Sequence, residues 1–253
     1  MKPYIGVTGC MSNQEVEHLL RLMPEPIDPP QLLMVGVLVS SKTMAGGKNK
    51  YPNRYPGMND VYRIFPDHGP ALNLVHYNTQ EPDTLYEQLM QMTDWWRYRI
   101  NGFQLNVAWP DPRIIKRYVT ACPTKDIVLQ VGGHAFEMIG NSPTHLVERV
   151  KEYQGLIKCV LLDPSGGHGT LLDMARMIGY LDVLYASKVD IGIGIAGGLC
   201  AETLDHVAPL IKGFPGLSID AEGRLRDGDD HLDLVKAEAY VQKALALFAQ
   251  AKK

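Results

Sequence analysis

The sequence predicts an α/β protein folded as a single (β/α)8 TIM barrel, on three observations. Eight short runs rich in Val, Ile and Leu alternate with amphipathic helical patterns, at a repeat of about 30 residues. The length of 253 residues suits one such barrel, and one domain over 1–253 is expected. The main competitor is an open doubly wound sheet. Its dinucleotide-binding version would carry a GxGxxG turn after the first strand, and the chain reads VTGCMS there.

The expected strands are residues 4–10, 32–40, 71–77 and 102–108, then 126–133, 157–163, 190–198 and 216–223. Their apolar character is nearly continuous, as in parallel strands buried on both faces. The first helical pattern, NQEVEHLLRLM, sets Val16, Leu19, Leu20 and Met23 on one face at i, i+3, i+4 and i+7. Only NDVYRIF (59–65) offers a helix after the second strand. SPTHLVERVKEYQ opens with Ser142 at the N-cap and Pro143 at the first helical position. AETLDHVAPLIKG ends on Gly213, a candidate C-cap. The last helix, about 231–250, follows RDGDDH, where Asp229 or Asp230 is the expected cap.

Composition narrows the function classes. The net charge of −3 comes from interspersed signs, without the basic block that nucleic acid would need. No apolar stretch approaches the roughly 20 residues of a membrane span, and the opening residues lack a signal-peptide pattern. Cys10, Cys122, Cys159 and Cys200 lie far apart, without CxxC or zinc spacing, and read as free thiols of a cytoplasmic protein. Partners are expected to be a small phosphorylated substrate or another anion, without nucleic acid or membrane. Self-association into a homo-oligomer stays open. No cofactor and no metal are expected from motifs.

In a barrel of this kind the active site sits at the C-terminal ends of the strands. The residues placed there are Thr8, Cys10, Ser40, Lys42, His76, Asn106, Gln130, His134 and Asp163. Gly197, Gly198 and the stretch from Ser218 to Glu222 complete the ring. Alternate residues share a strand face, which groups Gln104 with Asn106 and Ser218 with Asp220 and Glu222. The irregular stretch 41–60 is long for a βα connection and is a candidate lid.

Three stretches, VLLDPSGGHGTLLD, GIAGGLCAETL and the first-strand VTGC, resemble the phosphoribosylanthranilate isomerase family of tryptophan biosynthesis. The resemblance implies a sugar-phosphate aldose–ketose isomerase with Asp163 as general acid. It further implies a glycine loop at Gly166, Gly167 and Gly169, with His168 in the usual threonine place, and phosphate-binding amides at Gly197 and Gly198. Gln104 matches the family glutamine, whereas Asn106 replaces its histidine. Gly9 aligns with the family glycine, so Thr8 takes the place of the cysteine base and Cys10 falls two residues later.

An isomerisation of this type needs an acid and a base, and a threonine hydroxyl is far too weak an acid to serve unaided. Cys10 is expected on the face of Thr8, about 6.6 Å further along the strand. Arg54 and Lys42 are candidates for the family arginine after the second strand. Asp220 and Glu222 stand where the family offers serines and glycine to phosphate. With His76 and Asp163 they raise an alternative, a metal-dependent sugar-phosphate epimerase. A barrel that binds a ligand without catalysis is the third reading.

Overall fold

The computed structural model describes residues 1–24, 30–165 and 171–251. Eight parallel strands close into one barrel in sequence order. They are β1 (Tyr4–Thr8), β2 (Leu32–Ser40), β3 (Ala71–Asn78), β4 (Gly102–Leu105), β5 (Asp126–Gly132), β6 (Cys159–Asp163), β7 (Gly192–Ala196) and β8 (Ser218–Ala221). The barrel shuts where Ile5, Gly6 and Val7 pair with Ile219, Asp220 and Ala221.

The helices are α1 (Asn13–Leu20), α2 (Ser41–Met44), α3 (Met58–Ile64), α4 (Leu85–Trp96) and α5 (Pro112–Ala121), followed by α6 (Gly133–Met138), α7 (Pro143–Lys151), α8 (Met174–Ala186), α9 (Leu204–Gly213) and α10 (Leu234–Gln250). Short polar side chains cap several of them. Ser12 caps α1 in a capping box with Glu15, and Ser142 caps α7 ahead of Pro143. Asp233, not Asp229 or Asp230, caps α10 by accepting from the Val235 and Lys236 amides. The earlier aspartates belong to a turn in which Asp227 takes the Asp229 and His231 amides.

The pleat sorts side chains into two cores. Outward residues of the strands pack with the helices in one continuous layer, among them Ile5, Val7, Val35, Val37, Phe103 and Ile219. Inward residues Tyr4, Met34, Leu72, Leu74, Val128, Cys159, Leu161 and Ala196 plug the barrel. One pleat further along several strands the interior turns polar, with Thr8, His76, Gln104, Gln130, Asp163 and Asp220 all buried. Room for that layer comes from missing side chains. A Cβ on Gly6 would lie 2.6 Å from Asp220 Oδ1, and one on Gly36 would lie 2.4 Å from Thr8 Oγ1.

Gly9 ends β1 at φ +90, a left-handed conformation, and turns the chain out of the barrel. The expectation that Cys10 shares the face of Thr8 is therefore corrected. Cys10 is buried in the layer between strands and helices, with its thiol toward the Val7 carbonyl at 3.7 Å. The stretch 41–60 is partly regular: Ser40 caps α2 through a capping box with Thr43, and α3 starts at Met58.

Candidate active site

Two carboxyl groups stand at the C-terminal mouth of the barrel, joined through two glutamine amides. Thr8 Oγ1 donates to Asp220 Oδ1 at 3.0 Å and to Oδ2 at 3.2 Å. Gln104 Nε2 reaches Asp220 Oδ2 at 3.1 Å and Gln130 Oε1 at 3.2 Å. Gln130 Nε2 in turn donates to Asp163 Oδ2 at 3.0 Å. Asp163 Oδ1 also accepts from the Ser165 hydroxyl at 2.6 Å and the Ser165 amide at 3.2 Å. His76 Nδ1 lies 3.3 Å from Gln104 Nε2, which leaves the ring proton on Nε2.

Burial sets the proton affinities. Desolvation pushes the Asp220 carboxyl up to about 7; the Gln104 and Thr8 hydrogen bonds oppose it, and the charges of Glu222 and Asp163 add to it. Desolvation also holds the His76 imidazole below its ordinary value, against the pull of Glu222 and Asp163, which favours the neutral ring. The Cys10 thiol is pushed up to about 12, first by desolvation and then by Glu15. A thiol that is buried and protonated is a poor base and a poor nucleophile, so Cys10 is removed from the candidate site.

A cleft of about 380 Å³ opens above this layer, lined in part by His76, Gln130, Asp163, Ser165, Asp220, Glu222 and Arg224. Gly197 and Gly198 form one wall at φ +115 and +62, and a Cβ on Gly197 would meet Ser165 Oγ at 3.2 Å and Asp163 Oδ1 at 3.4 Å. Across that turn lies a second cleft of about 350 Å³, whose lining includes Leu171, Leu172, Met174 and Val207.

The segment between α2 and α3 reaches over to the loop after β8. Arg54 Nε donates to both Asp230 carboxylate oxygens at 2.8 Å, and Arg54 Nη1 reaches Glu222 at 3.0 Å. Asn53 Nδ2 donates to the Asp229 carbonyl at 2.8 Å. Beneath it, Arg226 Nη2 donates to the Thr8 and Gly9 carbonyls at 3.0 and 3.1 Å and pins the end of β1.

Of the residues expected at the site, Asp163, His76, Gln104, Asp220, Gly197 and Gly198 come together here. Thr8 is present as a fully buried donor to Asp220, not as a free hydroxyl facing the cleft. Asn106 lies one residue past β4, outside the amide chain, with its Oδ1 toward Gly132. His134 is exposed and pairs with Glu137 at 3.6 Å, and Lys42 is exposed on α2. Gly166, Gly167, His168 and Gly169 lie outside the described residues. Ser165 and Arg224 were not singled out from the sequence; the signal available for Ser165 was its place two residues after a strand-end aspartate.

Among the described residues, no three His, Cys, Asp or Glu side chains converge to hold a metal ion. The alternative of an ion between His76, Asp163, Asp220 and Glu222 therefore finds no ligand cluster there. No helix among the described residues is long and apolar enough to cross a membrane. All four cysteines are free thiols.

A closed parallel eight-stranded barrel surrounded by helices defines the chain as a (β/α)8 barrel. Its solved relatives in fold are diverse. It superposes on tryptophan synthase subunit alpha from Legionella pneumophila with a TM-score of 0.58 at 11% identity, over 98% of this chain and 93% of that one. The catalytic domain of the chitinase from Pyrococcus furiosus gives 0.57 at 11%, over 98% and 97%. The Rubisco-like protein from Rhodopseudomonas palustris gives 0.57 at 11%, over 96% and 64%. At such identities the likeness is one of fold. No protein-family model and no curated protein sequence matches the chain.

Proposed function

We propose that this chain is an acid/base enzyme of the phosphoribosylanthranilate isomerase type, converting an aldose phosphate to a ketose phosphate at the barrel mouth. One observation carries the reading: Asp163 and Asp220 face one cleft and are held by the buried Thr8–Gln104–Gln130 chain. Aldose–ketose isomerisation moves a proton from C2 to C1 and needs one group to take it and another to protonate an oxygen. Two carboxyls in unlike surroundings suit that division of work.

The same cleft has features for an anionic sugar. The Gly197–Gly198 turn lines its wall, and the Arg224 side chain lines the rim. The neighbouring apolar cleft by Leu171, Leu172 and Met174 would take an aromatic substituent. The 41–60 stretch serves as a lid, latched by Arg54 to Glu222 and Asp230. Four free thiols accord with a reducing, cytoplasmic setting.

Complementation of a tryptophan auxotroph lacking the isomerase tests the specific substrate. Growth is the expected result. No growth from a well-expressed, soluble chain would overturn the assignment of phosphoribosylanthranilate.

A further inference from the structure

The two buried carboxyls of the mouth, Asp163 and Asp220, are not equivalent, and their hydrogen bonds say which one holds a proton. Asp163 receives three donors, the Gln130 amide and the hydroxyl and amide of Ser165, spread over both oxygens. Both of its oxygens are thus supplied with donors. Asp220 receives the single hydrogen of Thr8, shared between its oxygens, and one from Gln104.

The supply at Gln104 is short. Three acceptors, His76 Nδ1, Gln130 Oε1 and Asp220 Oδ2, compete for the two hydrogens of Gln104 Nε2. Gln104 Oε1 is itself buried without a donor. With fewer hydrogens than acceptors around Gln104 Nε2, the ionised form of Asp220 is the less fully supplied of the two carboxylates. Asp163 has no comparable deficit to relieve.

We propose that Asp220 holds the exchangeable proton of this site and acts as its acid, while Asp163, ionised, acts as the base. This rests on the isomerase reading and reverses the role that the family resemblance implies for Asp163. For an open-chain aldose phosphate, Asp163 takes the C2 proton as Asp220 gives its proton to the C1 carbonyl oxygen, forming the enediol. Asp163 then returns its proton to C1 as the C2 hydroxyl proton passes to Asp220. The ketose forms, and both carboxyls regain their starting states.

The surroundings of Asp220 support this order. Its titratable neighbours are Glu222 just after β8, Asp163 on β6, Tyr4 on β1, Tyr240 on α10 and Cys10 after β1. Glu222 and Asp163 oppose its ionisation, and burial places its midpoint at about 7.

Carboxyl ¹³C NMR over pH 4 to 9 tests the assignment without any substrate. One resonance is expected to titrate near pH 7, to vanish in Asp220→Asn and to persist in Asp163→Asn. Thr8→Val, which removes a donor to the ionised form, is expected to raise that midpoint by about one pH unit. The Thr8 variant decides the matter if Asp220→Asn does not fold. A neutral titration lost in Asp163→Asn but kept in Asp220→Asn, its absence from the native chain, or a midpoint indifferent to Thr8→Val would overturn the proposal. Failure to turn over any aldose phosphate, with the titration as described, would instead count against the isomerase reading alone.

Discussion

Replacing Asp220 by Asn removes a buried acid while keeping its shape, and the consequence for stability follows from burial. Asp220 is 4% exposed, and its midpoint moves from an ordinary 3.8 to about 7 on folding. The folded state therefore binds the proton more tightly than the unfolded chain. The stability this gives is fully present below about pH 4 and is lost as pH rises through about 7. At 1.36 kcal/mol per pH unit, the loss between those limits is about 4 kcal/mol. Asn has no such dependence, and titrations of groups distant from Asp220 act on both proteins alike. Urea unfolding of native chain and Asp220→Asn at a series of pH values reads the difference. The native chain should lose about 4 kcal/mol relative to the variant between pH 4 and pH 8. A difference that stays flat across that range would refute the raised affinity of Asp220.

Three further outcomes are expected elsewhere. Gly9→Ala would force a side chain into φ +90 and set its Cβ 1.5 Å from Arg226 Nη2. A loss of about 2–4 kcal/mol in urea unfolding is expected, and a loss below about 0.5 kcal/mol would contradict the packing described. Arg54→Ala should speed proteolytic cleavage within 45–57 several-fold while costing about 1 kcal/mol or less of global stability, because the ion pairs are partly exposed. Unchanged cleavage would remove the latch. Brief alkylation at pH 8, read by mass spectrometry, should label half-buried Cys122 before buried Cys10. Preferential labelling of Cys10 would restore it as a reactive thiol.

The barrel was legible because its strands announce themselves. Leu32–Ser40 coincides with the expected second strand, since every second side chain enters one of two apolar cores. Strand ends were less so. The first strand stops at Thr8 because Gly9 turns at φ +90, and the fourth stops at Leu105 ahead of Trp109 at φ +45. That turn at Gly9, invisible to an alternation rule, is what sends Cys10 away from the mouth. Parity did set Gln104 and Asp220 on site-facing faces, and the strand-end rule brought in Gln130 and Asp163, whereas Asn106 and Glu222, grouped with the first pair, lie past the ends of their strands. Parity could not show that Thr8 meets Asp220 across 212 residues of chain, or that two amides join the carboxyls. Those contacts come from barrel closure. The Asp220–Glu222 stretch, awkward for a phosphate site when read alone, resolves into two parts: a carboxyl buried beside Thr8 and one paired with Arg54.

Proton transfer at the mouth is tested most directly by solvent exchange. Aldose phosphates, phosphoribosylanthranilate among them, are incubated with the chain in D₂O and followed by ¹H NMR. The acid/base reading requires deuterium at C2 of recovered aldose or C1 of the ketose, with the rate reduced at least 100-fold in Asp163→Asn. No exchange into any of these substrates by the folded native chain, or an undiminished rate in Asp163→Asn, would contradict it.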